Sequence, residues 1–189
     1  MIEPLAGPFH SERLFIRLLS PEEVDDRMLA WHQNGESMQF YTGSGRLFGR
    51  ADIERHIRTG LEAKSYFIYG IHMSDTGLRI GTVKIGPIDW KNRIADLVAL
   101  IGDRAFLAKG LAAEAIRLAG NVAFEHYDMR KLFGGMHESN ASSIKAYTRA
   151  GWVIEGRLKG HYLNDGRPED RVLVGCFNPK YFPDWQEPD

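Results

Sequence analysis

Ile101-Gly102-Asp103-Arg104-Ala105-Phe106-Leu107-Ala108-Lys109-Gly110-Leu111-Ala112-Ala113-Glu114 is the stretch on which the fold turns. Before it, Ile94 to Ile101 is mostly apolar, the pattern of a strand buried on both faces. After it, apolar residues fall at 111, 115, 118, 119 and 122, which is helical spacing from Gly110 to His126. The small residues of the connecting loop let the backbone approach a ligand closely. The helix start adds unpaired N–H groups and the positive end of the dipole. Strand, loop and helix together suit a phosphate or pyrophosphate; an ordinary strand-to-helix connection is the plain alternative. Other phosphate motifs fail: there is no Gly-x-x-x-x-Gly-Lys-Ser/Thr, and Gly43-Ser44-Gly45 has Phe48 where a dinucleotide fingerprint needs Gly.

Working outward, Leu14, Ile16 and Leu18 alternate within a first strand over about 12–18. Ser20 is a good N-cap, Pro21 fits the first helical position, and a helix is expected to Asn34-Gly35. Gly43, Gly45 and Gly49 mark a loop, and Asp52 is placed to cap a helix over 53–63. The segments 66–71 and 79–85 read as a hairpin around Ser74-Asp75-Thr76-Gly77. Strand 131–137 precedes a helix capped by Ser139 or Asn140 and ended by Gly151. Trp152-Val153-Ile154 and 171–176 close the chain as strands, with a turn at Asn164-Asp165-Gly166. The order predicts an α/β (α+β) domain: one mixed, mostly antiparallel central sheet of about seven strands, flanked by helices.

The 189 residues suit a single domain, and 43% hydrophobic content supports a sizeable core. Lys and Arg number 24 against 25 Asp and Glu, which argues against nucleic-acid binding by phosphate neutralisation. No apolar run approaches a membrane span. Met1 to Leu5 is acidic and Pro-broken, unlike a signal peptide, so a cytoplasmic location without membrane or nucleic-acid partners is expected. One cysteine, Cys176, excludes an internal disulfide and a cysteine-rich zinc site. His126, His137 and His161 lack metal-ligand spacing, so no metal is expected; they read as surface or hydrogen-bonded side chains.

Asn140, Ser143 and Tyr147 stand at i, i+3 and i+7 and share a helix face. A polar stripe ending in a tyrosine, next to a buried strand, reads either as a binding face or as a capped helix with a half-buried Tyr.

Four segments, in order, resemble the GNAT superfamily of acetyl-CoA-dependent N-acetyltransferases. The likeness extends to its branch of bacterial ribosomal-protein N-terminal acetyltransferases. They are Ser11-Glu12-Arg13-Leu14-Phe15-Ile16-Arg17, Ile80-Gly81-Thr82-Val83, the loop and helix start Ala108 to Ala115, and Asn140 to Trp152. There are departures. Leu107 holds a position that is usually Gln or Arg, Ala108 replaces a common Gly, and Gly135 stands where some of the ribosomal-protein enzymes carry a strand glutamate that acts as base.

The resemblance implies a GNAT fold with a splayed central pair, about 94–101 and 130–137, between which acetyl-CoA lies. It implies backbone pairing of the pantetheine near Leu100 and Ile101, and a pyrophosphate held by Leu107, Ala108, Lys109, Gly110, Leu111 and Ala112. Asn140 and Ser143 would face the cofactor, and Tyr147 would protonate the leaving thiolate. A tyrosine near ~10 is a weaker acid than a thiol near ~8.5, so this donation is uphill by about 2 kcal/mol in water. Asp96 matches a fourth-strand Glu and is the first choice as base, followed by Glu138 and His137. Residues 31–50 are expected to form one wall of the acceptor pocket, with Glu36 for an ammonium, Tyr41, and Arg46 for an acidic group. The acceptor is a primary amine: a protein N-terminus, an amino sugar nucleotide, a polyamine or a small amine. The protein acts as a monomer or homodimer. The alternatives are a non-catalytic CoA-binding regulatory module and a plain interaction protein.

Overall fold

The computed structural model describes residues 3–35, 38, 40 and 46–184. Among the described residues, eight strands form one sheet in the order β1-β2-β3-β4-β5-β6-β8-β7. They are β1 (Phe9–His10), β2 (Leu14–Leu18), β3 (Phe67–Met73), β4 (Arg79–Asp89), β5 (Ile94–Ile101), β6 (Lys131–His137), β7 (Val153–Asn164) and β8 (Arg167–Phe177). All neighbours pair antiparallel except β5 and β6, which run parallel. The mixed, mostly antiparallel sheet flanked by helices is the expected class. The eighth strand is the two-residue β1, too short to carry an alternation signal.

The helix expected from Ser20 divides in two. Pro21–Glu23 forms a 3-10 turn, and Val24 leaves it extended with ψ 102°. Helix α1 (Asp26–His32) then starts anew, because the Asp25 carboxylate accepts the Met28 N–H at 2.8 Å. Helix α2 (Arg50–Ala63) starts three residues before Ile53. Asp52 lies inside its first turn, where its carboxylate accepts the Gly49 N–H at 3.1 Å. The closing strands are 12 and 11 residues long, a hairpin far beyond the three apolar residues at 152–154. The polar outer half of that hairpin hides its strand character from a hydrophobic pattern.

Helix α3 (Leu111–Glu125) and helix α4 (Ala141–Arg149) cover one face of the sheet. There Ala115, Ile116, Ala119 and Val122 pack on Leu97, Leu132 and Val174 in the main core. Helices α1 and α2 cover the other face through Met28, Trp31, Ile53 and Ile57, packed with Ile68 and Leu100. Among the described residues, no helix is long and apolar enough to cross a membrane.

The decisive feature is where β5 and β6 stop pairing. Their register holds for Ile94↔Lys131, Ala95↔Leu132 and Asp96↔Phe133, and goes no further. Both strands continue, to Ile101 and His137, so a wedge opens between them. Strand β5 is covered on both faces, Ala95 and Leu97 in the main core and Leu100 in the α1–α2 core, while Ile94, Asp96, Val98, Ala99 and Ile101 are half-buried.

Candidate active site

The wedge widens into a cavity of about 690 Å³. One wall is β5 from Asp96 to Ile101, and another is the loop and helix start, 106–108 and 110–113, with the Lys109 ammonium turned over the Phe106 ring at 5.3 Å. A third is α4, through Asn140, Ser143, Ala146 and Tyr147; Gly135, Met136 and His137, on the diverging end of β6, line the cavity as well. The stretch that decided the fold and the polar stripe of α4 therefore face one space.

The loop is built from backbone. Ala108 has φ 60° and Gly110 φ 77°, both left-handed, which turns the chain sharply into α3. Gly110 is the N-cap, so the first-turn N–H groups of α3 at the loop have no intrahelical partner. The loop is braced from the turn that leads into β2. The Glu114 carboxylate accepts from Ser11 Oγ at 2.8 Å, from the Arg13 amide at 2.7 Å and from Arg13 Nε at 2.7 Å. Arg13 Nη1 reaches on to the Lys109 carbonyl at 3.1 Å. Lys145 and Arg149 add positive charge to the cavity wall.

Tyr147 donates its hydroxyl to the Leu97 carbonyl at 2.6 Å, one residue past the last β5–β6 pair. Its ring packs edge-on against Trp152 at 4.9 Å. Alternation along a strand puts Ala99 and Ile101 on the same open edge as Leu97. Leu100 turns its carbonyl toward β4, where a side chain on Gly81 would meet it at 2.1 Å. Asn140 caps α4 with its Oδ1, which accepts the Ser143 N–H at 3.1 Å and Ser142 Oγ at 3.0 Å. The side-chain amide N–H groups of Asn140 are what it retains for a ligand.

On the α1–α2 face of the wedge stand Asp96, Lys84 and His137. Burial pushes the Asp96 carboxyl above its ordinary value, against the pull of the Lys84 ammonium. Burial lowers Lys84 in turn, with Asp96 opposing. Glu138 is instead tied into an exposed ion pair with Arg157. His137 is buried, at 6% exposure, so it is no surface histidine. Its Nδ1 meets Glu169 Oε2 at 3.1 Å, and its ring stacks on Tyr162 at 3.8 Å between centroids. A Cβ at Gly135 would fall 2.2 Å from Arg171 Nε, so a guanidinium fills the place of a side chain there.

Of the expected acceptor wall, Glu36 and Tyr41 lie outside the described residues. Phe40 lines the cavity, whereas the Arg46 guanidinium sits over the Phe48 ring at 5.3 Å. Lys84, Tyr162, Glu169 and Arg171 were not legible as site residues. Glu169 lies 32 positions from His137, and only the β6–β8 register, His137↔Arg171, brings them together. Among the described residues no cluster of His, Cys, Asp or Glu fits a metal ion.

Residues 13–153 match the family model described as an acetyltransferase (GNAT) domain. The chain is 30% identical over 122 residues to a probable N-acetyltransferase, YjcK, of Bacillus subtilis, covering 63% of this chain and 66% of that one. It is 25% identical over 112 residues to spermidine N(1)-acetyltransferase of Escherichia coli, covering 59% and 60%. The matches thus span just under two thirds of these relatives. Among solved structures, spermidine N-acetyltransferase from Vibrio cholerae in complex with CoA and spermine superposes with a TM-score of 0.78. The identity is 19%, over 90% of this chain and 98% of that one. The wedge, the braced loop and the α4 tyrosine all lie within or beside the matched segment, and the chain belongs to the GNAT acetyltransferase family.

Proposed function

We propose that the protein transfers the acetyl group of acetyl-CoA to a primary amine, acting as a monomer or homodimer. The observation that carries this reading is the opening of the sheet at Leu97, with the Tyr147 hydroxyl at its apex and unpaired helix N–H groups at its mouth. The residues fit the co-substrate. The first turn of α3 and the loop 107–112 offer N–H groups to a pyrophosphate, and Lys145 and Arg149 offer charge to phosphates. The open edge at Ala99 and Ile101 offers peptide groups to the pantetheine amides, in place of the lost β6 partner. Asn140 and Ser143 complete that wall.

The acceptor nitrogen attacks the thioester carbon, forming C–N and an oxyanion that strand N–H groups stabilise. Asp96 accepts the proton that leaves the nitrogen; its raised pKa strengthens it as a base. When the C–S bond breaks, Tyr147 gives its proton to the thiolate, exchanging the Leu97 carbonyl for sulfur. A protein N-terminus is the acceptor suggested by the likeness to ribosomal-protein acetyltransferases, and a polyamine by the spermidine relatives. An amino sugar nucleotide would use Glu36, Tyr41 and Arg46 as its wall.

The test is release of free thiol from acetyl-CoA, screened over peptides, polyamines, amino sugar nucleotides and small amines. Amine-dependent release establishes the enzyme. CoA binding without release from any class leaves a CoA-binding regulatory module, and absence of CoA binding overturns the reading.

A further inference from the structure

An alkyl amine reaches neutral water as an ammonium, which has no lone pair for attack. It must lose a proton before the C–N bond forms, and a second proton as that bond forms. Asp96 accounts for one of these. His137 is built for the other.

Its ring is 6% exposed and lines the cavity beside Gly135 and Met136. Nδ1 faces the Glu169 carboxylate at 3.1 Å, and the Ser139 amide donates to the other carboxylate oxygen at 2.7 Å. Hydrogen bonding from Ser139, foremost, and from His137 holds Glu169 down to about 2, so it is an anion at neutral pH. An anionic partner fixes the proton on Nδ1 and leaves the lone pair on Nε2. Nε2 is buried and has no hydrogen-bond partner among the described residues. Tyr162 stacks on one side of the ring, and Phe40 meets it edge-on at 5.7 Å. The charged and titratable groups around it are Glu169 and Arg171 from β8, Tyr162 from β7, and Asp96 and Lys84 farther along the same face. The geometry is a buried imidazole with Nδ1 against a carboxylate and Nε2 unpartnered among the described residues.

We infer that His137 is the catalytic base that discharges the acceptor ammonium before attack, with Glu169 as its positioning residue. The inference rests on the acetyl-transfer reading above. One N–H proton passes from R–NH3+ to Nε2, giving neutral R–NH2 and an imidazolium whose charge Glu169 offsets. Solvent then takes that proton and the ring is reset.

Two measurements test it. Nitrogen NMR of the CoA-bound protein above pH 7 is expected to show His137 protonated at Nδ1 and bare at Nε2; the opposite tautomer overturns the inference. Thiol release is then compared with ethylamine and with methoxyamine, which is already neutral at pH 7. His137→Gln is expected to slow the ethylamine reaction roughly 10²- to 10⁴-fold and the methoxyamine reaction less than about tenfold. Added imidazole is expected to restore part of the ethylamine rate in His137→Ala. Equal losses for both amines mean a structural role and overturn the inference, as does no loss for either. Glu169→Gln, which keeps the histidine, is expected to slow ethylamine selectively as well. A wild-type protein that releases thiol with no amine tried overturns the acetyl-transfer reading itself, while the tautomer still reports on the dyad.

Discussion

In the proposed reaction Tyr147 has two partners to satisfy at different moments. In the structure its hydroxyl donates to the Leu97 carbonyl at 2.6 Å; during the proposed turnover the thiolate would compete for that proton. Tyr147→Phe is therefore expected to lower kcat roughly 10²- to 10⁴-fold, with acetyl-CoA affinity within a few-fold of wild type. Thiol-release kinetics and calorimetry separate the two. The same change leaves a buried carbonyl without its donor, which costs about 1–3 kcal/mol and is visible as a lower Tm. Glu169 gives a second prediction, in stability. Its folded-state pKa of about 2 lies below the ordinary 4.5, so ionisation stabilises the fold. That contribution is whole above pH about 4.5 and is lost as pH falls toward 2. Glu169→Gln is expected to melt below wild type at pH 6, with the difference closing toward pH 2. A gap that stays constant across that range contradicts the assignment.

At the scale of elements, the loop between β5 and α3 is held by a brace from the turn just before β2, about a hundred residues earlier in the chain. Arg13 and Glu114 belong to two motifs that looked independent in the sequence, yet they bond to each other, and Arg13 also bonds the loop at Lys109. Glu114→Gln keeps the helix but weakens a charge-assisted pair, so CoA affinity is expected to fall about three- to tenfold with kcat little changed. Gly110→Val has a different cause. A Cβ there meets nothing nearer than Arg13 Nη2 at 3.7 Å, but φ is 77°, which a β-branched residue does not tolerate. CoA affinity is expected to drop at least tenfold, about 1.4 kcal/mol, and calorimetry with both variants ranks the two effects. These loop and helix features were legible because glycine, capping and 3.6-residue periodicity are local signals. The β7–β8 hairpin and the Glu169–His137 contact were not, since polar strand residues and cross-strand partners carry no local signature. The split at Val24 went unseen because Ser20-Pro21 and Asp25 are both good helix starts, and only the extended backbone between them decides.

For the whole molecule, the wedge is a standing deficit of hydrogen bonds. The sheet gives up β5–β6 pairing past Asp96 and Phe133, leaving peptide groups at Ala99 and Ile101 open in the free protein. Helices α3 and α4 pack on one face of the sheet and α1 and α2 on the other, so both strands that flank the gap are anchored in packed cores. A ligand that restores those bonds adds its binding free energy to the folded state alone. At a CoA concentration of 100 times Kd this is about 2.7 kcal/mol. At roughly 2–4 °C per kcal/mol for a domain of this size, Tm is expected to rise about 5–11 °C. Hydrogen exchange locates the effect. The Ala99 and Ile101 amides are expected to exchange quickly without CoA and to become protected with it. The Leu100 amide, facing β4, is expected to be slow in both states. A CoA-induced rise in Tm with no new protection at Ala99 and Ile101 would place the pantetheine elsewhere. Protection spread evenly over the sheet would mean that the wedge closes by strand pairing instead of by ligand.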